Sequence, residues 1–166
     1  MSGPELAGAR AGRLDRDYLP GLGVPSVQPY LDRYAERSAA ARAALTWREL
    51  PYGADPAERV HFFPAPAPDA PLVVFVHGGY WQLLDEWSSA YGAPGLVAAG
   101  AAFAAVGYPL SPHARVARIT AAVRAAVRKL VEGAPAPGGG PPRRRGGAPT
   151  PRAPRGGPLG GGRAPP

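Results

Sequence analysis

An α/β fold built on a largely parallel sheet is what this sequence predicts, and three observations predict it. Residues 72–76 read LVVFV, a short unbroken apolar run of the kind expected for a strand buried on both faces. Residues 101–108 (AAFAAVGY) form a second such run, and the stretch between them can hold a helix, which makes a βαβ unit. Residues 112–131 carry the clearest helical periodicity in the chain.

The elements follow in order. Pro29 to Leu45 is rich in alanine and leucine and carries charges at helical spacing, Asp32 and Glu36 opposed by Arg33 and Arg37, which predicts a helix. TWRELPYG and ERVHFFP are extended patterns separated by the turn-forming Gly53 to Pro56 cluster, so they predict a β-hairpin, ended by Pro64, Pro66 and Pro68. In that alternation His61 lies between Val60 and Phe62 and is expected to face solvent. After the strand at 72–76 a helix is expected over Ser88 to Ala99, stopped by Gly100. The last helix places Val116, Ile119, Val123, Val127 and Leu130 on one face and Arg115, Arg118, Arg124 and Arg128 largely on the other. Ser111 suits its N-cap and Pro112 its first turn. That capping role is a fuller account of the pair Ser111 and His113 than a catalytic dyad.

Composition limits what the chain can be. At 166 residues it suffices for one domain with a modest core, and with no cysteine it holds neither a disulfide, a thiolate zinc site nor a cysteine nucleophile. No window approaches eighteen consecutive apolar residues, and acids, arginines and prolines occupy the N-terminus where a signal peptide needs an apolar stretch, so a soluble, cytoplasmic protein is expected. The net charge of +7 is unevenly placed: residues 1–132 hold 13 basic and 12 acidic side chains, whereas residues 133–166 hold six arginines and no acid. Of those last 34 residues, 32 are Gly, Ala, Pro or Arg. Such a segment has nothing to bury against the entropy of ordering, so a disordered low-complexity tail is expected. The organisation read from the sequence is therefore an extension over residues 1–28, a domain over 29–132 and the tail over 133–166.

The chemistry-bearing stretch is His77-Gly78-Gly79-Tyr80-Trp81, directly after the apolar strand. The carboxyl end of a buried parallel strand is where open α/β sheets place ligands, and glycines there let backbone N–H groups approach a substrate. A tight turn with no chemistry is the plain alternative. The stretch resembles the α/β-hydrolases of the arylformamidase (kynurenine formamidase) and related carboxylesterase type, whose oxyanion loop reads HGGxW. The likeness runs from about Tyr30 to Glu132 and includes WRELPYG, VVFVHGGYW and the GY-P-x-x-P turn at Gly107 to Pro112. It implies the N-terminal half of an α/β-hydrolase fold, with Leu72 to Val76 central in the sheet. It also implies a small-molecule ester or N-formyl amide substrate and no cofactor or metal. The oxyanion donors would be the backbone amides of Gly79 and Tyr80, with His77, Gly78 and Trp81 supporting the loop, Trp81 by packing beneath it.

The same resemblance requires a serine on a G-x-S-x-G elbow, then an acid and a histidine, and these are missing. The serines are Ser2, Ser26, Ser38, Ser88, Ser89 and Ser111, none in that pattern, and beyond Glu132 there is no Ser, His, Asp or Glu. No catalytic nucleophile, acid or base is therefore assigned, and the chain is expected to be inactive. Eighteen arginines against one lysine, with no asparagine, imply a GC-rich gene, and GC-rich DNA read out of frame yields a tail of this composition. Element lengths place the missing elbow at roughly residues 142 to 160. In a shifted frame, Gly157 to Gly162 around Leu159 are compatible with Gly-His-Ser-Ala-Gly-Gly. A frameshifted or truncated hydrolase is thus the main expectation, with an exposed strand edge and aggregation as its consequence. Two other classes stand beside it: a noncatalytic binding protein that keeps the pocket loop, and a basic-tailed binder of nucleic acid or acidic partners. Nucleic acid is not favoured, because the tail lacks interleaved aromatics for base stacking, and no membrane partner is expected.

Overall fold

A computed structural model describes residues 20–133. The N-terminal extension before residue 20 and the tail with its out-of-frame elbow lie outside the described residues. The chain divides into two compact units, residues 1–33 and 34–166. In the first, a 3-10 turn (Pro20–Gly23) precedes the start of helix α1 (Gln28–Ala44), where the Ser26 hydroxyl accepts from the Gln28 amide at 3.1 Å and Gln28 Nε2 donates to Asp32 at 2.7 Å.

The second unit is a four-stranded sheet among the described residues. Strands β1 (Arg48–Pro51) and β2 (Arg59–Phe63) form the expected hairpin, with Leu50 opposite Val60. Strand β3 (Leu72–Val76), helix α2 (Ala93–Ala98) and strand β4 (Ala102–Val106) form the expected βαβ unit, β3 and β4 running parallel with Val76 beside Val106. β2 meets β4 antiparallel, Phe63 opposite Phe103, so the order is β1-β2-β4-β3. The sheet is therefore mixed, and among the described residues β3 stands at its edge rather than its centre.

That position explains a difference from the sequence reading. β4, flanked on both sides, is buried at every position, whereas Val73 and Val76 of β3 remain 37% and 41% exposed. An unbroken apolar run reports the capacity to be buried, not the presence of neighbours. On one face Val60, Phe62, Ala104 and Val106 pack against Ala126 and Leu130 of helix α3 (Val116–Gly133). On the other, Phe63, Phe103 and Ala105 pack against Ala41 of α1 and Ala90 and Ala93 before and in α2.

Three further expectations are corrected. His61 is fully buried, because the face of β2 that it shares with Phe63 is covered, its ring lying 4.7 Å from Trp47 and 4.5 Å from Trp87. Alternation assigns a side chain to a face but does not say whether that face is covered. α3 starts at Val116, so Ser111 and Pro112 lie in a separate turn and do not cap it. The buried face of α3 is Ile119, Ala122, Ala126 and Leu130, while Val116 and Val127 stay exposed. Small alanines let the helix approach the sheet closely, and that decided the rotation. Between β3 and β4 the helix is short, a 3-10 turn (Ala90–Gly92) followed by α2, and Gly100 ends it as expected at φ +87°, its neighbour Ala101 donating to the Leu96 carbonyl at 2.9 Å.

Candidate functional site

The parallel register brings the segments after β3 and β4 side by side: Val76 pairs with Val106, so His77 emerges next to Gly107 and Tyr108. The His77 ring stacks on Tyr108 with centroids 4.1 Å apart and planes 7° from parallel, and Tyr108 Oη donates to the His77 carbonyl at 2.7 Å. Nδ1 of His77 lies 2.9 Å from the Gly78 carbonyl, which assigns the N–H to Nδ1. Burial pushes the imidazole below its usual pKa, with the Gly78 carbonyl and Asp85 opposing, so the ring is a neutral structural group near pH 7.

Beyond His77 the backbone turns through left-handed conformations in succession: Gly79 at φ +102°, Tyr80 at +52° and Trp81 at +60°. Gln82 and Leu83 both donate to the Gly79 carbonyl at 3.0 Å, and positive φ at both central residues is the mark of a type I′ turn. A side-chain-bearing residue in that region costs about 1–2 kcal/mol, so two in a row are held by their surroundings. One such restraint is visible, the Ser111 amide donating to the Trp81 carbonyl at 2.8 Å. The Trp81 ring itself is 50% exposed, so the residue is tied down through its backbone rather than by packing beneath the loop.

The two glycines differ in kind. A Cβ on Gly79 would lie 2.5 Å from the Leu83 carbonyl oxygen, on a backbone that already disfavours side chains, whereas a Cβ on Gly78 meets nothing within 4 Å. Gly79→Ala is therefore expected to cost about 2–3 kcal/mol of stability and Gly78→Ala under about 0.5 kcal/mol, measured by urea denaturation. Equal losses at both positions would contradict this division.

His77, Gly78, Gly79, Tyr80, Trp81 and Tyr108 line an open cleft of about 300 Å³. The structure thus brings together every residue singled out in the HGGYW loop and adds Tyr108, which the sequence reading had only as a strand end. The signal for it was present: it follows Gly107 immediately after the strand paired with β3. A second buried cluster was also missed. Glu86 is 6% exposed and reaches the backbone at Gly107, where an added Cβ would fall 2.1 Å from its carboxylate. Burial raises its pKa from 4.5 to about 7. Burial likewise lowers His61 from 6.5 to about 3, with Arg42 adding to the effect, so the 3.7 Å approach of its Nε2 to Glu49 involves a neutral ring rather than an ion pair.

The described serines are engaged elsewhere. Ser88 and Ser89 bond to Asp85, the Ser38 hydroxyl is buried without a partner, and no serine–histidine hydrogen bond occurs among the described residues. Among them, too, no helix is long and apolar enough to cross a membrane.

No protein-family model matches the chain. It is 35% identical over 95 residues to a kynurenine formamidase of Danio rerio, a match covering 56% of this chain and 32% of that protein. Against a kynurenine formamidase of Salmo salar it is 30% identical over 109 residues, covering 64% and 37%. The chain thus spans about a third of the length of the curated relatives it matches. Among solved structures, a candidate thioesterase from Silicibacter sp. aligns with a TM-score of 0.67 at 31% identity, covering 72% of this chain and 47% of that one. Esterase B from Lactobacillus rhamnosis aligns at 0.51 and 25% identity, covering 66% and 39%. The esterase LipW of Mycobacterium marinum, at 20% identity and a TM-score of 0.53, is a likeness of fold alone. With formamidase relatives at these identities, and esterase and thioesterase structures aligning over about two thirds of the chain, the covered part of this protein is similar to the α/β-hydrolases and has their fold.

Proposed function

We propose that this chain carries the oxyanion-loop portion of a site for carboxylic ester or N-formyl amide bonds and, as written, does not turn such substrates over. The observation that carries the reading is the left-handed turn at Gly79 to Trp81 on the rim of the cleft at the end of β3. Such a turn directs successive backbone amides to one side, and the amides of Gly79 and Tyr80 are the donors that would meet negative charge developing on a carbonyl oxygen. The names of the formamidase relatives and the esterase structure support the substrate class.

Donors stabilise an oxyanion only after a nucleophile has attacked, and among the described residues no serine is hydrogen-bonded to a histidine. The reading includes translation of residues 133–166 out of frame, supported by their composition; the coding DNA read in all three frames tests that part, and absence of a serine codon straddling codons 159 and 160 sinks it. For activity, aryl esters and N-formyl anilides should be hydrolysed at the buffer rate, and a serine-directed fluorophosphonate should not label the protein. Stoichiometric labelling abolished by replacing one serine would overturn the assignment. A noncatalytic binder is the second reading, favoured by a cleft that is lined, among the described residues, without a serine or threonine; saturable binding of a carbonyl compound without turnover would support it.

A further inference from the structure

The two edges of the sheet are built differently. β1 is four residues long, carries Arg48 and Glu49 and ends in Pro51, features that discourage a further strand from pairing. β3 reads LVVFV, with no charge, proline or glycine, and has β4 as its one strand neighbour among the described residues. The apolar surface continues past the edge on both faces. On one side Val73 and Phe75 sit with Tyr91, which stacks on Tyr34 at 5.0 Å and is exposed like it. On the other, Val76 is exposed, and so are Val127 and Val131 of α3. Among the described residues the sheet thus ends on an apolar strand with only one strand neighbour.

The rest of this sequence supplies no obvious strand to cover it. Residues 134–166 contain no Val, Ile, Phe, Tyr or Trp, and residues 1–19 have no apolar run longer than two, with glycine, proline and charged residues between. Charge does not oppose self-association either, since residues 1–132 are nearly balanced, with 13 basic and 12 acidic side chains.

We infer that β3 pairs antiparallel with β3 of a second copy of this chain, across a two-fold axis normal to the sheet. That axis makes one continuous eight-stranded sheet from two four-stranded ones and sets the α3 layers of both copies on the same side. The contact is self-complementary, and the outer edges of the joined sheet are then the guarded β1 strands. Association therefore closes at two copies and does not run on into an open array.

The test is sedimentation velocity on the full chain over a hundredfold concentration range. A reversible monomer–dimer equilibrium with no larger species is expected. Val73→Lys and Val76→Lys, each at an exposed β3 position, should each weaken dimerisation about tenfold or more, by placing like charges close to the two-fold axis; circular dichroism selects whichever of the two stays folded. Because the chain has no cysteine, single cysteines placed at 72, 73, 74, 75 and 76 cross-link only between copies. Antiparallel pairing predicts a self-linked dimer at the position on the axis and little at the ends of the strand, whereas parallel pairing links all five. A monomer at every concentration, species that grow without limit, a dimer indifferent to both lysine variants, or equal cross-linking at all five positions would each overturn the inference.

Discussion

Glu86→Gln is expected to raise stability at pH 8 by about 3 kcal/mol and to steepen the loss of stability as pH falls through the acid range. The Glu86 carboxyl has a folded pKa of about 7 against 4.5 when unfolded, so its ionisation opposes folding. This penalty is absent below pH 4.5, grows as pH rises, and is complete above pH 7. His61 behaves in the opposite sense. Its folded pKa of about 3 lies below the unfolded 6.5, so it costs nothing above pH 6.5 and increasingly more as pH falls toward 3. Between pH 4.5 and 6.5 the two contributions oppose each other, and the lowered pKa of His77 acts in the same sense as that of His61.

Removing either group exposes the other. From pH 4.5 to 6.5 the climb in stability should be steeper in Glu86→Gln than in the unaltered protein, and in His61→Phe it should be shallower or reversed as Glu86 ionises against the remaining effect of His77. Phenylalanine suits the position, since the His61 ring is fully buried and aromatic rings pack against it on two sides. Urea midpoints measured at half-unit steps from pH 4 to 8 distinguish the profiles. Two variants that run parallel to the unaltered protein would show that neither group is held as buried as described.

Phe103→Ala is expected to remove most of the folding free energy. The side chain is 2% exposed at the middle of the sheet, with ring centroids 6.1 Å from Phe63 and 6.2 Å from Phe75, and the Gly92 backbone closes against its edge. β4 is the strand that joins the hairpin to the βαβ unit, so a cavity there touches both. Truncating a buried phenylalanine costs about 3–5 kcal/mol, a large part of the roughly 5–15 kcal/mol that stabilises an ordinary domain. Val116→Ala, half exposed at the start of α3, should change stability by less than about 0.5 kcal/mol. Thermal unfolding of the pair provides the comparison, and similar losses in both would mean that the core does not lie where the sheet places it.

The hairpin, the βαβ unit, α1 and the loop after β3 were all legible in the sequence, because each is signalled locally by period, turn residues or a glycine stop. Position within the sheet was not. LVVFV and AAFAAV look alike as strings, yet β4 is flanked on both sides and β3 on one, a difference of pairing between residues far apart in the chain. The start of α3 differs for a related reason: Ser111 is a good cap in isolation, but residues 111–114 form a separate turn and the helix begins only at Val116.

At the site, the amino-acid sequence by itself determined that a glycine-bearing loop follows an apolar strand, that cysteine chemistry is absent, and that no serine stands in an elbow motif. These are matters of residue identity and near-neighbour spacing, which a string contains in full. Only the tertiary structure decided which glycine is required by the backbone and which leaves space. It also decided that Tyr108 walls the cleft, that His61 and Glu86 are buried, and that among the described residues β3 is an edge strand. Each depends on what lies across a face or beside a strand, and that is set by long-range packing rather than by the residues on either side.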